Sequence, residues 1–213
     1  MTIMAATTKL LKYKEEMINS TVNYYEKNAH EFYQNTINVD MCEHYRRFEE
    51  YLHPESCILD AGCGSGRDIL YFLGKGYNVQ AFDASAEMVK LSSELTGLSV
   101  QQARFENVQL EGMFQGIWAS ASLLHVDRGS MMDILQRLAA RLAEDGVLFM
   151  SFKYGDKVFE KGDRLFNCYD ESSFSEMIAA LPVLKLLELY KTADVRDKRV
   201  NEFWLCAIVK KTS

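Results

Sequence analysis

The fold of this chain is decided by the stretch CILDAGCGSGRD, residues 57–68. It opens with an apolar run short enough for a buried strand, turns through three glycines, and continues into residues 68–74, whose apolar side chains have helical spacing. A strand, a glycine turn and a helix form the first crossover of a nucleotide-binding α/β fold. Glycine suits such a turn because the chain bends sharply and a ligand lies against bare backbone.

The spacing of the glycines indicates which ligand is expected. A dinucleotide fingerprint reads Gly-x-Gly-x-x-Gly or Ala, and its third small residue lets the helix close on the strand. Counted from Gly62, that third place is taken by Arg67, so a dehydrogenase is the least favoured interpretation. The chain instead has Gly-x-Gly-x-Gly, with Asp60 at the end of the preceding strand.

The run from Asp60 to Gly66 resembles motif I of the class I S-adenosylmethionine-dependent methyltransferases, Asp-x-Gly-x-Gly-x-Gly. The resemblance implies S-adenosylmethionine as cofactor and S-adenosylhomocysteine as product. The cofactor carries an amino-acid tail and a sulfonium cation, so a carboxylate beside it is chemically reasonable. The residues of the motif predicted to bind the cofactor are Asp60, Ala61, Gly62, Cys63, Gly64 and Arg67.

The same resemblance implies an α/β, Rossmann-like class I methyltransferase fold. Its features are a seven-stranded, mostly parallel sheet with a C-terminal antiparallel hairpin, helices on both faces, and an N-terminal helical lid. We expect a single domain over residues 1–213, with the lid at about 1–52 and the Rossmann-like core at about 56–211. The likeness extends over roughly 24–210, and its specific motifs lie within 59–125.

Composition narrows the classes of partner. A chain of 213 residues suits one domain with a real core, and a net charge of −6 argues against nucleic acid or an anionic membrane as partner. The five cysteines are scattered without zinc-site spacing, which predicts no metal site and a reduced, cytoplasmic protein. No apolar run is long enough to span a bilayer. The expected partner is a small-molecule acceptor, and the expected assembly is a monomer or homodimer.

Residues from about Leu10 to Leu52 are predicted to form two or three helices rich in aromatic side chains. Ordinary packing explains any single aromatic residue. The resemblance implies a different role, since N-terminal helices of many small-molecule methyltransferases cover the cofactor and supply tyrosines to it. On that basis Tyr25 and Tyr33 are predicted to contact the cofactor.

Asp83 ends the predicted second strand, about 20 residues beyond the glycines. An acid in that position can accept hydrogen bonds from both ribose hydroxyls, and we predict this role for Asp83 with Ala84 beside it. The alternative is that Asp83 caps the following helix, although Ser85 is the better cap. Met88, one turn into the helix, is predicted either to rest on the adenine or to pack in the core.

Two further loops follow predicted strands. After the third strand, the family commonly has an acidic or amide residue that accepts from the adenine amino group, whereas this chain has Arg104 and Phe105. Phe105 stacking on adenine, or recognition by backbone alone, stays open. The fourth strand, 114–125, ends in residues predicted to pass the cofactor or contact the acceptor: Ala119, Ser120, Ala121 and His125. His125 has three possible roles: a ligand contact, a general base or a structural residue.

Four residues near the later strand ends are predicted to bind an anionic acceptor: Lys153, Arg164, Tyr169 and Arg196. Each alone could be an ordinary surface residue. Their motifs resemble the small bacterial methyltransferases associated with tellurite and thiopurine resistance, which implies a soft oxyanion, a thiol or a carboxylate-bearing acceptor. Segment 156–169 is predicted to be irregular, and 184–190 with 203–210 to form the final hairpin.

Three hypotheses remain. The first is an enzyme that methylates a small molecule by in-line displacement, a reaction that needs no metal and no obligatory base. The second is an RNA or protein methyltransferase, which a basic face of Arg164, Arg196, Lys198 and Arg199 would favour. The third is a non-catalytic, cofactor-binding partner subunit. An open acceptor pocket beside the cofactor would favour the first hypothesis over the third.

Overall fold

The computed structural model describes residues 3–196, 199 and 201–212, with only the backbone described for 3–14, 17 and 18. The helices are α1 (Ile3–Thr36), α2 (Cys42–Glu49), α3 (Arg67–Gly74), α4 (Ala86–Thr96), α5 (Met131–Arg141) and α6 (Glu171–Ala179), with a 3-10 turn at Leu123–His125. The strands are β1 (Cys57–Ala61), β2 (Asn78–Asp83), β3 (Gln101–Gln102), β4 (Phe114–Ala119), β5 (Leu142–Tyr154), β6 (Val158–Lys161), β7 (Arg164–Tyr169), β8 (Leu184–Ala193) and β9 (Phe203–Lys211).

The sheet is mostly parallel, as predicted. Strands β3, β2, β1, β4 and β5 lie side by side in that order and run in one direction. Strand β9 pairs antiparallel with β5, and β8 pairs antiparallel with β9, which confirms the C-terminal hairpin. The order reverses between β1 and β4, so the carboxyl ends of the central strands flank a crevice where open α/β sheets bind ligands.

Nine strands are present among the described residues, two more than predicted. Strands β6 and β7 form an antiparallel hairpin that continues from the end of β5, and β7 pairs there with β5. The prediction that 156–169 is irregular is therefore wrong. The turn consists of Gly162 and Asp163, both with positive φ, as a tight two-residue hairpin requires. The many charged residues around that turn made the alternation of apolar and polar residues along each strand difficult to recognise in the sequence.

Helices cover both faces of the sheet, as predicted. Neighbouring strand residues alternate between two cores: Leu59 and Leu148 face α5 and α6, whereas Ile58 and Phe149 face α2 and α3. Full burial of each such side chain stabilises the fold by roughly 1.5–3 kcal/mol. Because strands buried on both faces carry apolar residues without a break, the central strands are recognisable from their composition.

The helix boundaries follow local signals in the sequence. Ser85 caps α4 by accepting from the Met88 N–H, and Gly97 ends that helix in the left-handed conformation, as expected. Asp170 and Ser173 form a capping box at the start of α6. The predicted N-terminal helices correspond to α1, which is kinked at Asn28, and α2. Within the described residues, no helix combines the length and apolarity needed to cross a bilayer.

Candidate active site

A cavity of about 630 Å³ lies at the carboxyl ends of the parallel strands, between the sheet and α1. This volume is within the range of small-molecule and cofactor sites. Most of the predicted site residues line it: Tyr25, Gly62, Cys63, Gly64, Arg67, Asp83, Ala84, Met88, Arg104, Phe105, Ser120, Ala121, His125, Lys153, Arg164 and Arg196.

Five predicted site residues do not line this cavity: Tyr33, Asp60, Ala61, Ala119 and Tyr169. The side chains of Ala61 and Ala119 are buried within the sheet. Tyr169 packs on Phe152 and Phe174. Tyr33 lies one position off the face of α1 that lines the cavity, which consists of Thr21, Val22, Tyr25, Phe32 and Thr36.

Asp60 is buried at the end of β1. Burial, reinforced by the nearby charge of Asp68, raises the pKa of Asp60 well above its ordinary value. Its Oδ2 atom has no hydrogen-bond partner among the described residues. A buried acceptor without a partner is costly and therefore needs an explanation.

The three positions of the turn require glycine for different physical reasons. A Cβ on Gly62 would lie 2.5 Å from Cβ of Ser122, and one on Gly66 would lie 2.9 Å from Cβ of Ser92. These two positions are required by packing against the protein itself. Gly64, with φ +54°, lines the cavity, and its Cβ would meet only Phe32 within 4 Å, at 3.5 Å. Gly62 and Gly64 both line the cavity, but at Gly64 a Cβ would meet the ligand space without first clashing with the protein.

Asp83 is held against the glycine turn by two backbone donors. Its Oδ2 accepts from the Gly64 N–H at 2.8 Å, and its Oδ1 accepts from the Ser85 N–H at 2.9 Å. Burial raises the pKa of Asp83, and these backbone hydrogen bonds oppose that rise. Each carboxylate oxygen can accept a further hydrogen bond. The side chain is thus fixed in position and retains acceptor capacity at the cavity wall.

Helix α1 is held over this cavity by hydrogen bonds to the start of α4 and to the loop after β3. The Glu26 carboxylate accepts from the N–H groups of Ala86 and Glu87 at the start of α4, at 2.6 and 3.2 Å. This arrangement satisfies free donors and places a negative charge at the positive end of that helix. Two turns nearer the N-terminal end of α1, Asn19 accepts from Arg104 at 2.6 Å. The helix therefore closes the cavity on the side of the glycine turn.

His125 is fixed as a neutral imidazole of one tautomer. Its Nδ1 lies 2.6 Å from the Leu165 carbonyl oxygen, which can only accept, so Nδ1 carries the proton. Its Nε2 lies 2.8 Å from the Tyr25 hydroxyl and accepts from it. Burial, with a smaller contribution from the charge of Arg164, lowers the pKa of His125 to about 4. In this arrangement His125 orients Tyr25 and does not take up a second proton near neutral pH.

Two of the cations predicted to bind an acceptor are neutralised within the protein. Asp194 pairs with Lys153 at 3.2 Å and with Arg196 at 2.5 Å, and Lys153 also pairs with Glu202. Burial alone would raise the pKa of Asp194, but hydrogen bonds from Arg196 and Trp204 hold it well below its usual range. Sequence reasoning missed the two acids because their pairing depends on the fold of the final hairpin.

Arg164 differs from those two cations. The structure records no ion pair between Arg164 and any described carboxylate, and its buried Nε atom has no hydrogen-bond partner there. Its guanidinium carbon lies 3.9 Å from the centroid of the Tyr24 ring and 5.1 Å from that of Phe166. Aromatic faces stabilise a desolvated guanidinium but leave its in-plane donors free.

Arg67 belongs to a buried network that sequence reasoning also missed. It makes a bidentate ion pair with Asp68 at 2.7 and 2.9 Å, and Asp68 also accepts from Tyr45 and, at 2.9 Å, from Trp118. Burial would raise the pKa of Asp68, but the charge of Arg67 and these hydrogen bonds lower it. The predicted cofactor contact of Arg67 therefore has to coexist with this ion pair.

Beyond the glycine turn, the cavity continues along β5 and β9. Its wall there includes Phe149, Ser151, Trp204 and Cys206, and α2 contributes His44, whose Nδ1 lies 2.9 Å from the Tyr190 hydroxyl. The space beside Gly64 and Asp83 is thus continuous with the space along β5 and β9, which is here called the second compartment.

Comparison with known proteins identifies one family. A family model described as a methyltransferase domain matches residues 33–167. An uncharacterized methyltransferase of Staphylococcus carnosus (strain TM300) is 29% identical over 96 residues, which is 45% of this chain. That match spans 46% of the relative, less than half its length.

Solved structures show the same fold. The 1,6-didemethyltoxoflavin-N1-methyltransferase of Burkholderia thailandensis, with bound 1,6-didemethyltoxoflavin and S-adenosylhomocysteine, superposes with a TM-score of 0.77 at 22% identity, covering 95% of this chain and 90% of that one. Magnesium protoporphyrin IX methyltransferase from Synechocystis PCC 6803, with bound S-adenosylmethionine, gives a TM-score of 0.59 at 16% identity, covering 75% of this chain and 71% of that one.

Proposed function

The chain belongs to the methyltransferase-domain family, and on that premise we propose that it transfers a methyl group from S-adenosylmethionine to a small-molecule acceptor. The observation that carries this proposal is the continuity of the cavity. One compartment contains Gly64 and Asp83, and the next extends along β5 and β9. A fold neighbour holds the product S-adenosylhomocysteine together with 1,6-didemethyltoxoflavin, which supports the same division of space here.

The residues at the glycine turn fit the proposed cofactor. Gly64 leaves its backbone open to the cavity, and Asp83 retains acceptor capacity suited to ribose hydroxyls. Asp60 is buried behind this turn with an orphaned Oδ2 and a raised pKa, so a cationic ammonium group or sulfonium nearby would favour its charged form. Phe105, held edge-on against Phe82 at 5.1 Å between centroids, supplies an apolar wall for a purine.

When bound, S-adenosylmethionine supplies an activated methyl group that an acceptor lone pair takes by in-line displacement, leaving the electron pair of the broken bond on sulfur. The protein has to align the acceptor with that group and exclude water. Helix α1 does the second task by covering the compartment with Tyr25 and Phe32. In this proposal His125 orients the lid tyrosine through the hydrogen bond that its Nε2 accepts, and methyl transfer needs no base when the acceptor arrives deprotonated.

Calorimetric titration tests the cofactor assignment. We expect binding of S-adenosylmethionine and S-adenosylhomocysteine and no binding of NADH. A methyl-transfer assay against small-molecule acceptors, read as release of S-adenosylhomocysteine, then tests catalysis. Absence of binding by both adenosyl compounds would contradict the proposal, because the compartment is open to the cavity and needs no acceptor to form.

The structure bears differently on the two alternative hypotheses. The basic face that would favour RNA or protein acceptors is weakened, since Arg196 pairs with Asp194 and Arg199 with Glu202. Lys198, also counted in that face, lies outside the described residues. A non-catalytic partner subunit has no need for the second compartment, so its presence favours the enzyme. Cofactor binding without any methyl transfer would favour the subunit instead.

A further inference from the structure

The hairpin of β6 and β7 presents one side to the cavity. Five residues of these two strands line the cavity, Cys168 among them, and the four that pair with each other across the strands are here called the hairpin face: Phe159, Lys161, Arg164 and Phe166. Cross-strand pairing accounts for this set, because Phe159 stands opposite Phe166 and Lys161 stands opposite Arg164. Side chains two apart on a strand share a side of the sheet, so the register places all four together.

The hairpin face carries uncompensated positive charge. Lys153 and Arg196 across the cavity are paired with Asp194 and Glu202, whereas Arg164 has no ion pair with a described carboxylate. Its Nε is buried without a hydrogen-bond partner among the described residues. A guanidinium has five donors, and leaving a buried one unsatisfied is costly. An anionic group bound at Arg164 would remove that cost.

The same face is aromatic. The rings of Phe159 and Phe166 are stacked, with centroids 5.2 Å apart and planes inclined by 15°. Phe159 remains 40% exposed although it is a large apolar residue at the edge of a cavity. Val195 and Phe203, which also line the cavity, are exposed to a similar extent. Exposed apolar surface around a concave site is typical of ligand-binding rims.

We propose that the hairpin face selects an aromatic acceptor bearing a carboxylate or a comparable anionic group. Arg164 binds the anionic group, and Phe159 with Phe166 packs against the ring. This inference rests on the proposed function, because it names the acceptor class of the same site. It also separates the roles of the late cations: Arg164 recognises the acceptor, whereas Lys153 and Arg196 stabilise the final hairpin.

Ligand-observed NMR on the full chain saturated with S-adenosylhomocysteine tests this proposal with three probes. Benzoate carries both features, benzamide lacks the charge, and cyclohexanecarboxylate lacks the aromatic ring. We expect benzoate to bind more tightly than either of the other two. Arg164→Gln should weaken benzoate binding at least about tenfold, as loss of a charge-assisted hydrogen bond implies, and should reduce the preference over benzamide.

The matched control is Arg141→Gln, at an exposed position in the last turn of α5 outside the cavity wall. It should leave benzoate binding unchanged. Phe159→Leu should reduce the preference for benzoate over cyclohexanecarboxylate and leave the preference over benzamide intact. The proposal is overturned if benzoate fails to bind, if benzamide binds equally well, or if Arg164→Gln has no effect.

The affinity for S-adenosylhomocysteine separates this proposal from the one on which it rests. Phe159→Leu should bind S-adenosylhomocysteine as the original protein does, because Phe159 contacts neither Gly64 nor Asp83. Arg164 lies beside the lid residue Tyr25, so Arg164→Gln should lower the affinity for S-adenosylhomocysteine by a smaller factor than the affinity for benzoate. Normal binding of that compound with no selectivity for benzoate refutes the acceptor class alone. Failure of the original protein to bind it refutes the proposed function itself.

Discussion

The Tyr25 hydroxyl lies 2.8 Å from Nε2 of His125, and this contact joins the covering helix α1 to the turn after β4. Both groups belong to the cavity wall. Because the contact uses the only free lone pair of the neutral imidazole, the two residues act together as a clasp. The role of His125 can therefore be tested through the pH dependence of the stability of the protein.

The clasp predicts a defined pH dependence of stability. Burial lowers the pKa of His125 from its ordinary 6.5 to about 4, so between these values the unfolded chain binds a proton that the folded chain does not. Stability contributed by the neutral His125 is complete above pH 6.5 and is lost as the pH falls towards 4. His125→Gln should flatten the pH dependence of the free energy of unfolding in that window, by up to about 1.4 kcal/mol per pH unit.

Urea denaturation across the window measures this effect. His53→Gln, at an exposed position, is the control and should follow the original protein. His44, whose pKa burial also lowers, is present in both variants and leaves the comparison unaffected. An unchanged slope in His125→Gln would show that the histidine is not held neutral by the fold.

Asp83→Ala should weaken binding of S-adenosylhomocysteine by about 1–3 kcal/mol, because charged acceptors for hydroxyl donors are lost. Calorimetry measures the change, and thermal unfolding without ligand separates it from damage to the glycine turn. Asp133→Ala, at an exposed position of α5, is the control. Equal affinity of Asp83→Ala and the original protein would refute the ribose assignment.

Gly64→Ala and Gly97→Ala form a matched pair. Both residues have positive φ, so either substitution should destabilise the fold by about 1–2 kcal/mol through backbone strain. A Cβ at Gly97 has nothing within 4 Å, whereas one at Gly64 enters the cavity wall near Phe32. Only Gly64→Ala should therefore also weaken binding of S-adenosylhomocysteine. Equal loss of affinity in both variants would mean that strain alone is responsible.

Asp68→Ala should destabilise the fold by about 3–5 kcal/mol, because it leaves the Arg67 charge and the Trp118 donor without their buried acceptor. Asp68→Asn keeps an acceptor oxygen and should cost less. Urea denaturation measures both, with Asp133→Ala again as control. A decrease in the free energy of unfolding of less than about 1 kcal/mol would show that water replaces the carboxylate in this network.

The sequence was most informative where local chemistry determines conformation. The glycine turn, the acid at Asp83 and the cap at Ser85 are all recognisable without tertiary information, and the parallel sheet with its final hairpin is confirmed. The narrower likeness to the tellurite- and thiopurine-resistance enzymes stays a prediction. So do the individual site roles, since they concern ligands and the structure gives only positions.

What could not be predicted depends on contacts between distant segments. The neutralisation of Lys153 requires Asp194 and Glu202, which lie 41 and 49 residues away in the chain. The presence of Phe32 in the cavity wall in place of Tyr33 could have been predicted from the sequence, because Phe32 is seven residues from Tyr25 and shares its helix face. The hairpin at 158–169 was missed because its turn is Gly-Asp, the reverse of the usual order, among charged residues.

The two tryptophans stand in very different surroundings. Trp118 is fully buried and stacked on Phe149 at 3.9 Å, whereas Trp204 lies in the cavity wall with the Lys153 ammonium 4.4 Å from its ring. The protein thus contains two intrinsic fluorophores, one reporting on the packed interior and one on the second compartment. A Trp204→Phe variant isolates the interior signal, and the difference between the two emission spectra follows ligand entry without any added label.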